Sequence, residues 1–288
     1  MQTKEIVKRC IRFILGGIPI IKVSPKIVTL NSNSTLYGKV ALITGGTSGI
    51  GYAIAKAFVN AGAEVVITGR DKERNSKAVD KLKNETSKGC IYSIVLNNTD
   101  VNGLKKGHDD AIKMVGKSID ILVNNAGVNC LPMPNATEDE YDKVMDTNLK
   151  GTFFLSQLFG KYMIENKIKG NILNIASASS LRPADSAYTL SKWGIRALTL
   201  GLAKSLGKYG ITVNGIAPGP TATPMMIKDS DTNIYLDRIP LGRYVMPEEI
   251  ASMAVILVSD MGRSIMGDLV YMTGGAGVLT YDDVPYLF

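Results

Sequence analysis

The sequence predicts a doubly wound α/β domain on a parallel sheet of about seven strands. Three observations predict it. From residue 39 onward, short apolar runs alternate with segments of helical period. The first run ends in a glycine-rich turn, Thr44-Gly45-Gly46-Thr47-Ser48-Gly49-Ile50-Gly51. The chain has 288 residues, 45% of them hydrophobic and 20% charged, which suits one large globular core.

Taken in order, residues 39–44 read as a strand and 50–61 as a helix. A strand over 63–68 and a polar amphipathic helix over 72–86 follow, then a strand over 91–96 and a helix over 100–117. Strand 119–123 leads to a helix over 138–165, and strand 171–175 to a helix over 186–208. Strand 212–216, helix 247–259 and strand 269–272 complete the pattern. Such alternation implies parallel strands joined by right-handed crossovers, with ligands at the carboxyl ends of the strands. No internal repeat or second domain interrupts residues 38–288.

Residues 1–37 differ in character. Lys4, Lys8, Arg9 and Arg12 precede a short apolar stretch broken by Gly16, Gly17 and Pro19. Val23-Ser24-Pro25 makes a poor signal cleavage site. The segment reads either as a basic amphipathic helix lying weakly on an anionic membrane surface, or as an extension packed on the body or a subunit contact. Asn31 to Thr35 reads as a polar linker. A cytoplasmic location is expected, peripheral to a membrane under the first alternative.

The formal charge is +7, yet no long block of Lys or Arg occurs, so a mildly basic solvated surface is expected and a nucleic-acid partner is not. Cys10, Cys90 and Cys130 are odd in number and far apart, which argues against a disulfide framework and a metal site. His108 is the sole histidine, so a histidine-based triad is not expected, and it reads as a solvated helix residue. Chemistry then falls to Tyr, Ser, Lys, Asn or carboxylates.

Glycines between a strand and a helix let backbone N–H groups approach a pyrophosphate at the positive end of the helix. The second strand ends Thr68-Gly69-Arg70. Gly69 offers no carboxylate for a ribose hydroxyl, whereas Arg70 offers a fork of donors suited to a phosphate. That favours NADP(H), with NAD(H) kept open by the nearby Asp71.

At this point six motifs occur together and in order. They are the Thr44–Gly51 turn, Asn124-Asn125-Ala126-Gly127, Asn148 within Thr147-Asn148-Leu149, Ser177, Tyr188-x-x-x-Lys192 and Pro218-Gly219. On these residues the chain resembles the short-chain dehydrogenase/reductase family from residue 38 to about 275. The resemblance implies a Rossmann-like fold and a hydride transfer between a nicotinamide dinucleotide and a small carbonyl or alcohol. It also implies a homodimer or homotetramer joined through the helices near 138–165 and 186–208.

Tyr188 and Lys192 stand four apart on one helix face, and a neighbouring ammonium is expected to pull the phenol's pKa down. By resemblance, Tyr188 gives or takes the proton and Ser177 holds the substrate oxygen. Lys192 donates to the nicotinamide ribose, and Asn148 kinks its helix and anchors water behind Lys192. Cofactor contacts are expected from Gly45, Thr47, Ser48, Gly49, Ile50, Gly51, Arg70, Asn97, Asn125, Ala126 and Gly127. Asn124, Ile175, Pro218, Gly219, Thr221 and Thr223 are placed along the cofactor in the same way.

The chain departs from the family pattern in three places. The loop from Ser177 to Tyr188 is about two residues short, which makes Ser179 and Ser180 rivals of Ser177. Asn97 stands where the family has Asp, although its amide oxygen can still accept. Thr273 precedes Gly274-Gly275 where an acidic residue is common. Substrate choice is expected from segments 129–134, 181–185 and 221–240, whose Met133, Met225, Met226, Ile227 and Tyr235 suggest an apolar or mixed wall. Arg182 and Lys228 read either as anion contacts or as surface charge, and Cys130 reads as a loop residue in preference to a pocket edge. A non-catalytic dinucleotide-binding sensor or assembly protein recruited through residues 1–37 is the alternative.

Overall fold

A computed structural model of the chain describes residues 35–86, 89–223 and 234–279. The segment expected to meet a membrane or pack on the body, apart from its last residues, lies outside the described residues. So do Met225, Met226, Ile227 and Lys228. Leu36, near the end of that segment, is buried and donates its backbone N–H to Ala61.

Seven parallel strands form one sheet in the order β3-β2-β1-β4-β5-β6-β7. They are β1 Val40–Thr44, β2 Glu64–Gly69, β3 Ile91–Val95, β4 Ile121–Asn124, β5 Asn171–Ile175, β6 Thr212–Pro218 and β7 Leu269–Met272. The helices are α1 Gly49–Asn60, α2 Lys72–Glu85, α3 Val101–Val115, α4 Glu138–Val144, α5 Gly151–Glu165, α6 Ala187–Leu206 and α7 Pro247–Val258. The central strands are apolar on both faces because helices cover both. Ala41 and Ile43 of β1 pack with Ile54 and Phe58 of α1, Leu82 of α2 and Ile250 of α7. Val40 and Leu42 face the other way, onto Leu104 of α3, Leu155 and Phe159 of α5, and Leu206 of α6. Strand order reverses between β2 and β4 on either side of β1, so the crevice opens at their carboxyl ends.

Two expectations need correction. The helix expected over 138–165 contains a π-helical stretch, Met145–Lys150, between α4 and α5. Hydrophobic spacing does not register that wider turn, which aims the Asn148 side chain at the neighbouring loop. His108 is not solvated. It is 4% exposed and wedged on α3 against Phe159 and Tyr162 of α5, with ring centroids 5.0 and 4.6 Å away. Its spacing from Leu104, Ala111 and Val115 puts it on the buried stripe of α3. Among the described residues, no helix is long and apolar enough to cross a membrane.

Behind the crevice, polar side chains tie strands to helices. Asn124 Nδ2 donates to Ser156 Oγ and to Asn174 Oδ1, both at 2.9 Å, and Asn174 Nδ2 donates to Thr199 Oγ1 at 2.9 Å. All four side chains are buried. The chain of amides fixes β4 and β5 against α5 and α6.

Candidate active site

At the end of β1 the chain turns through Gly45 and Gly49, at φ +64° and +55°, a region that favours glycine. α1 then starts with Ser48 at its N-cap, but the Ser48 side chain makes no capping bond and the first turn has no acidic residue. The N–H groups there are left for an outside acceptor. α2 starts differently. Asp71 Oδ1 accepts from the Arg74 N–H at 2.8 Å, so its carboxylate caps that helix.

These two helix starts border a cleft of about 1050 Å³. Gly45, Thr47, Ser48, Gly49 and Ile50 line one stretch of it, and Arg70 and Asn97 line the stretch beyond β2 and β3. Asn125, Ala126 and Gly127 enter from the end of β4, and Pro218, Gly219, Thr221 and Thr223 from the end of β6. Asn125 Nδ2 donates to the Thr44 and Gly45 carbonyls at 2.9 and 3.1 Å, and Thr44 Oγ1 accepts from the Asn125 and Ala126 N–H groups at 3.0 Å each. The β1 turn and the β4 loop are thereby locked together. Two buried polar atoms of cleft-lining residues, Asn75 Oδ1 and Asn98 Nδ2, have no partner among the described residues. An open helix start and a glycine-lined floor fit the phosphates of a dinucleotide; the Asn98 amide offers a donor, and the Asn75 amide oxygen can accept from a hydroxyl or amine of such a ligand.

Two expected contacts lie elsewhere. Gly51 is buried beneath the floor, where a Cβ would fall 2.5 Å from the Gly45 carbonyl oxygen and closer still to the Asn125 amide. Its lack of a side chain serves helix–strand packing rather than a ligand. Asn124 is occupied in the buried amide chain and does not line the cleft.

Ser177, Tyr188 and Lys192 line the same cleft. Ser177 ends the stretch after β5, and its Oγ accepts from the Ser179 N–H at 3.1 Å. The Ser177 hydroxyl is also close enough to the Tyr188 phenol to favour its charged form. Ser180 is fully buried and turned back, donating from Oγ to the Ser177 carbonyl at 2.7 Å. Ser179 borders the cleft but its N–H is held by Ser177. Geometry therefore sets Ser180 aside, while Ser177 and Ser179 both line the cleft. Lys192 is 6% exposed, and its Nζ donates to the Ile175 carbonyl at 2.8 Å and lies 5.6 Å from the centre of the Tyr188 ring.

The charge balance differs from the sequence expectation. Burial pushes the Tyr188 phenol up, and the Ser177 hydrogen bond only partly opposes it. Burial pushes Lys192 down from 10.5 to about 8. Nζ donates to the Ile175 carbonyl, and burial of the phenol outweighs the pull of the nearby ammonium.

Asn148 stands behind this group rather than in the cleft wall. Its Oδ1 accepts from the Val128 N–H at 2.8 Å, and its Nδ2 donates to the Val128 carbonyl at 2.9 Å and to Ser191 Oγ at 3.2 Å. It joins the π-helical stretch to the β4 loop and to α6.

Sequence reasoning missed Arg74, Asn75, Asn98 and Arg238, all of which line the cleft. Arg74 lies one helical turn beyond Arg70, a spacing that was available. Arg238 falls within segment 221–240, expected to choose substrate, but the residue itself was not singled out. Of the segments expected to choose substrate, Asn129 and Arg182 line the cleft, whereas Met133, Tyr235 and Cys130 do not. Arg182 is 7% exposed and so is not ordinary surface charge. Among the described residues, no group of His, Cys, Asp or Glu is placed to hold a metal ion.

Comparison with known proteins agrees with this geometry. The short chain dehydrogenase family profile matches residues 39–234. The chain is 36% identical over 245 residues to the 3-oxoacyl-(acyl-carrier-protein) reductase FabG of Thermotoga maritima, covering 83% of this chain and 98% of that one. It is 34% identical over 253 residues to the gluconate 5-dehydrogenase of Gluconobacter oxydans, covering 85% and 96%. The solved structure of a short-chain dehydrogenase/reductase from Serratia marcescens superposes with a TM-score of 0.76 at 30% identity, covering 85% of this chain and all of that one. The chain belongs to the short-chain dehydrogenase/reductase family and is an oxidoreductase that uses a nicotinamide dinucleotide.

Proposed function

We propose that this enzyme moves a hydride between NADP(H) and the carbonyl or alcohol carbon of a small molecule, with Ser177, Tyr188 and Lys192 as its working side chains. The observation that carries the reading is Ser177 and Tyr188 lining one cleft with the Nζ of a buried Lys192 5.6 Å from the Tyr188 ring. When bound, the nicotinamide supplies or accepts the hydride. Ser177 holds the substrate oxygen by hydrogen bond. Tyr188, kept protonated at neutral pH by burial, donates its phenolic proton to that oxygen in the reductive direction. Lys192 holds its charge beneath them and donates to the cofactor ribose. Asn148 fixes Val128 and α6 so that the group keeps its spacing.

Arg70 and Arg74 support preference for NADP(H) over NAD(H). Both border the cleft beyond β2, while the neighbouring Asp71 carboxylate caps α2 instead of standing ready for a ribose hydroxyl. Exposed Phe153 and Phe154 on α5, with Leu190, Trp193 and Leu200 on α6, support a homodimer or homotetramer through these helices. Size-exclusion chromatography with light scattering tests that assembly. A cytoplasmic enzyme in weak contact with a membrane through residues 1–37 is tested by liposome flotation of the full and shortened chains.

The central test mixes purified protein with NADPH and a panel of aldehydes and ketones and follows NADPH absorbance. Tyr188→Phe is expected to lower kcat/KM by about 10²–10⁴-fold with little change in NADPH affinity. Turnover that survives this substitution removes Tyr188 from the proton path.

A further inference from the structure

We propose that the substrate end of the cleft recognises an anion, so that the carbonyl substrate carries a carboxylate, with Arg238 as the contacting residue and Arg182 reinforcing its field. The inference rests on the hydride-transfer reading and adds a substrate class to it. The described cleft lining holds five cations, Arg70, Arg74, Arg182, Lys192 and Arg238, against one carboxylate, Asp71. Arg70 and Arg74 stand beyond β2 with Asp71, at the dinucleotide end. Lys192 lies beneath Tyr188. Arg182 is engaged within the chain, and hydride and proton transfer leave Arg238 without a task.

The Arg182 guanidinium and the chain at Arg238 border one turn. Arg182 stands five positions after Ser177, and its Nε lies 2.9 Å from where a Cβ on Gly277 would stand. Arg238 immediately precedes Ile239, which packs on Ala276 of the same turn. Leu241 N–H donates to the Gly274 carbonyl at 2.9 Å and closes that wall. Arg182 is buried and already engaged within the chain, so it contributes charge and shape. Arg238 is exposed, borders the cleft and has no ion pair among the described residues. A guanidinium fork binds a carboxylate through two parallel hydrogen bonds, and a second cation nearby strengthens the potential in a walled cleft.

The test uses the full-length enzyme, NADPH and an isosteric pair of aldehydes, 4-formylbenzoate and 4-formylbenzamide. The expected kcat/KM for the benzoate is about tenfold higher or more, mainly through KM. That ratio should fall close to one in Arg238→Gln, recover in part in Arg238→Lys, and shrink with added salt. Equal use of both aldehydes, or a preference untouched by Arg238→Gln, overturns the anion site and leaves the oxidoreductase reading standing. For an enzyme that reduces neither aldehyde, the alcohol pair 4-hydroxymethylbenzoate and 4-hydroxymethylbenzamide is compared by thermal shift with NADP+ present. A shift confined to the benzoate and lost in Arg238→Gln supports the site, and equal or absent shifts overturn it.

Discussion

At its dinucleotide end the cleft is built largely of backbone, and at its substrate end of side chains. Gly45, Gly49 and the Asn125–Gly127 loop present main chain, locked by Thr44 and Asn125. Ser177, Arg182, Tyr188 and Arg238 reach in from the β5 exit, the start of α6 and the segment before α7. A backbone surface is fixed by packing beneath it, so substitutions there damage the fold before they alter the ligand. A side-chain surface can change its chemistry while the fold stays intact.

Lys192 gives the largest test of that contrast. Its folded pKa of about 8 lies below its ordinary 10.5, so below about pH 8 the folded protein carries the cost of burying the charge. That cost fades as pH rises from about 8 toward 10.5. Lys192→Met is therefore expected to lose at least about 10²-fold in kcat/KM while its Tm at pH 7 stays near or above wild type. The relative gain in Tm should diminish above pH 8. A Tm at pH 7 many degrees below wild type would mean that the lost bond to Ile175 outweighs burial.

Gly51→Val reverses the pattern at the backbone end. The added side chain meets the Gly45 carbonyl and the Asn125 amide, and about 2–3 kcal/mol of stability should be lost in denaturant unfolding. A stable variant that has only lost NADPH affinity would blur the distinction between the two ends. Arg70→Ala sharpens it on a smaller scale. NADPH affinity should fall about tenfold with NADH affinity unchanged, read by fluorescence titration. Equal affinity for both cofactors in wild type would remove the phosphate role of Arg70.

The smallest effect lies outside the cleft lining, at the start of α7. Glu249 on α7 receives Arg243 in two hydrogen bonds of 2.7 and 3.0 Å, and accepts from the Met246 N–H at 2.7 Å. Arg243 first, and the Met246 N–H second, hold its carboxyl down to about 2. A depressed carboxylate stabilises the fold above its unfolded pKa near 4.3 and loses that contribution as pH falls toward 2. Both side chains are more than a third exposed, so screening limits the contribution to about 1 kcal/mol. Glu249→Gln should therefore lower stability by about 1 kcal/mol at pH 7 and by progressively less below pH 4.

Legibility in the sequence followed the same division. Strands 171–175 and 269–272 are read to the residue, each a short extended run set off from the helical periods on its amino side. The glycine turn is equally plain, since its conformations are ones that other residues rarely adopt. Tyr188 and Lys192 share a helix face by spacing alone. Ser177 needed the fold, because only three-dimensional packing turns Ser180 inward. Arg238 needed it more, being joined to Arg182 through a turn at Gly277 that no local pattern connects to either. The π-helical stretch at Asn148 hides inside an unbroken helical period.

The lone imidazole of this chain, pinned between two rings at the α3–α5 seam, amounts to a built-in label. Its ring protons should give one isolated pair of NMR resonances, shifted by the currents of Phe159 and Tyr162. Movement of those lines on cofactor addition would report strain carried through the sheet to its far side. Diethyl pyrocarbonate, which acylates accessible histidines, should leave the native enzyme working.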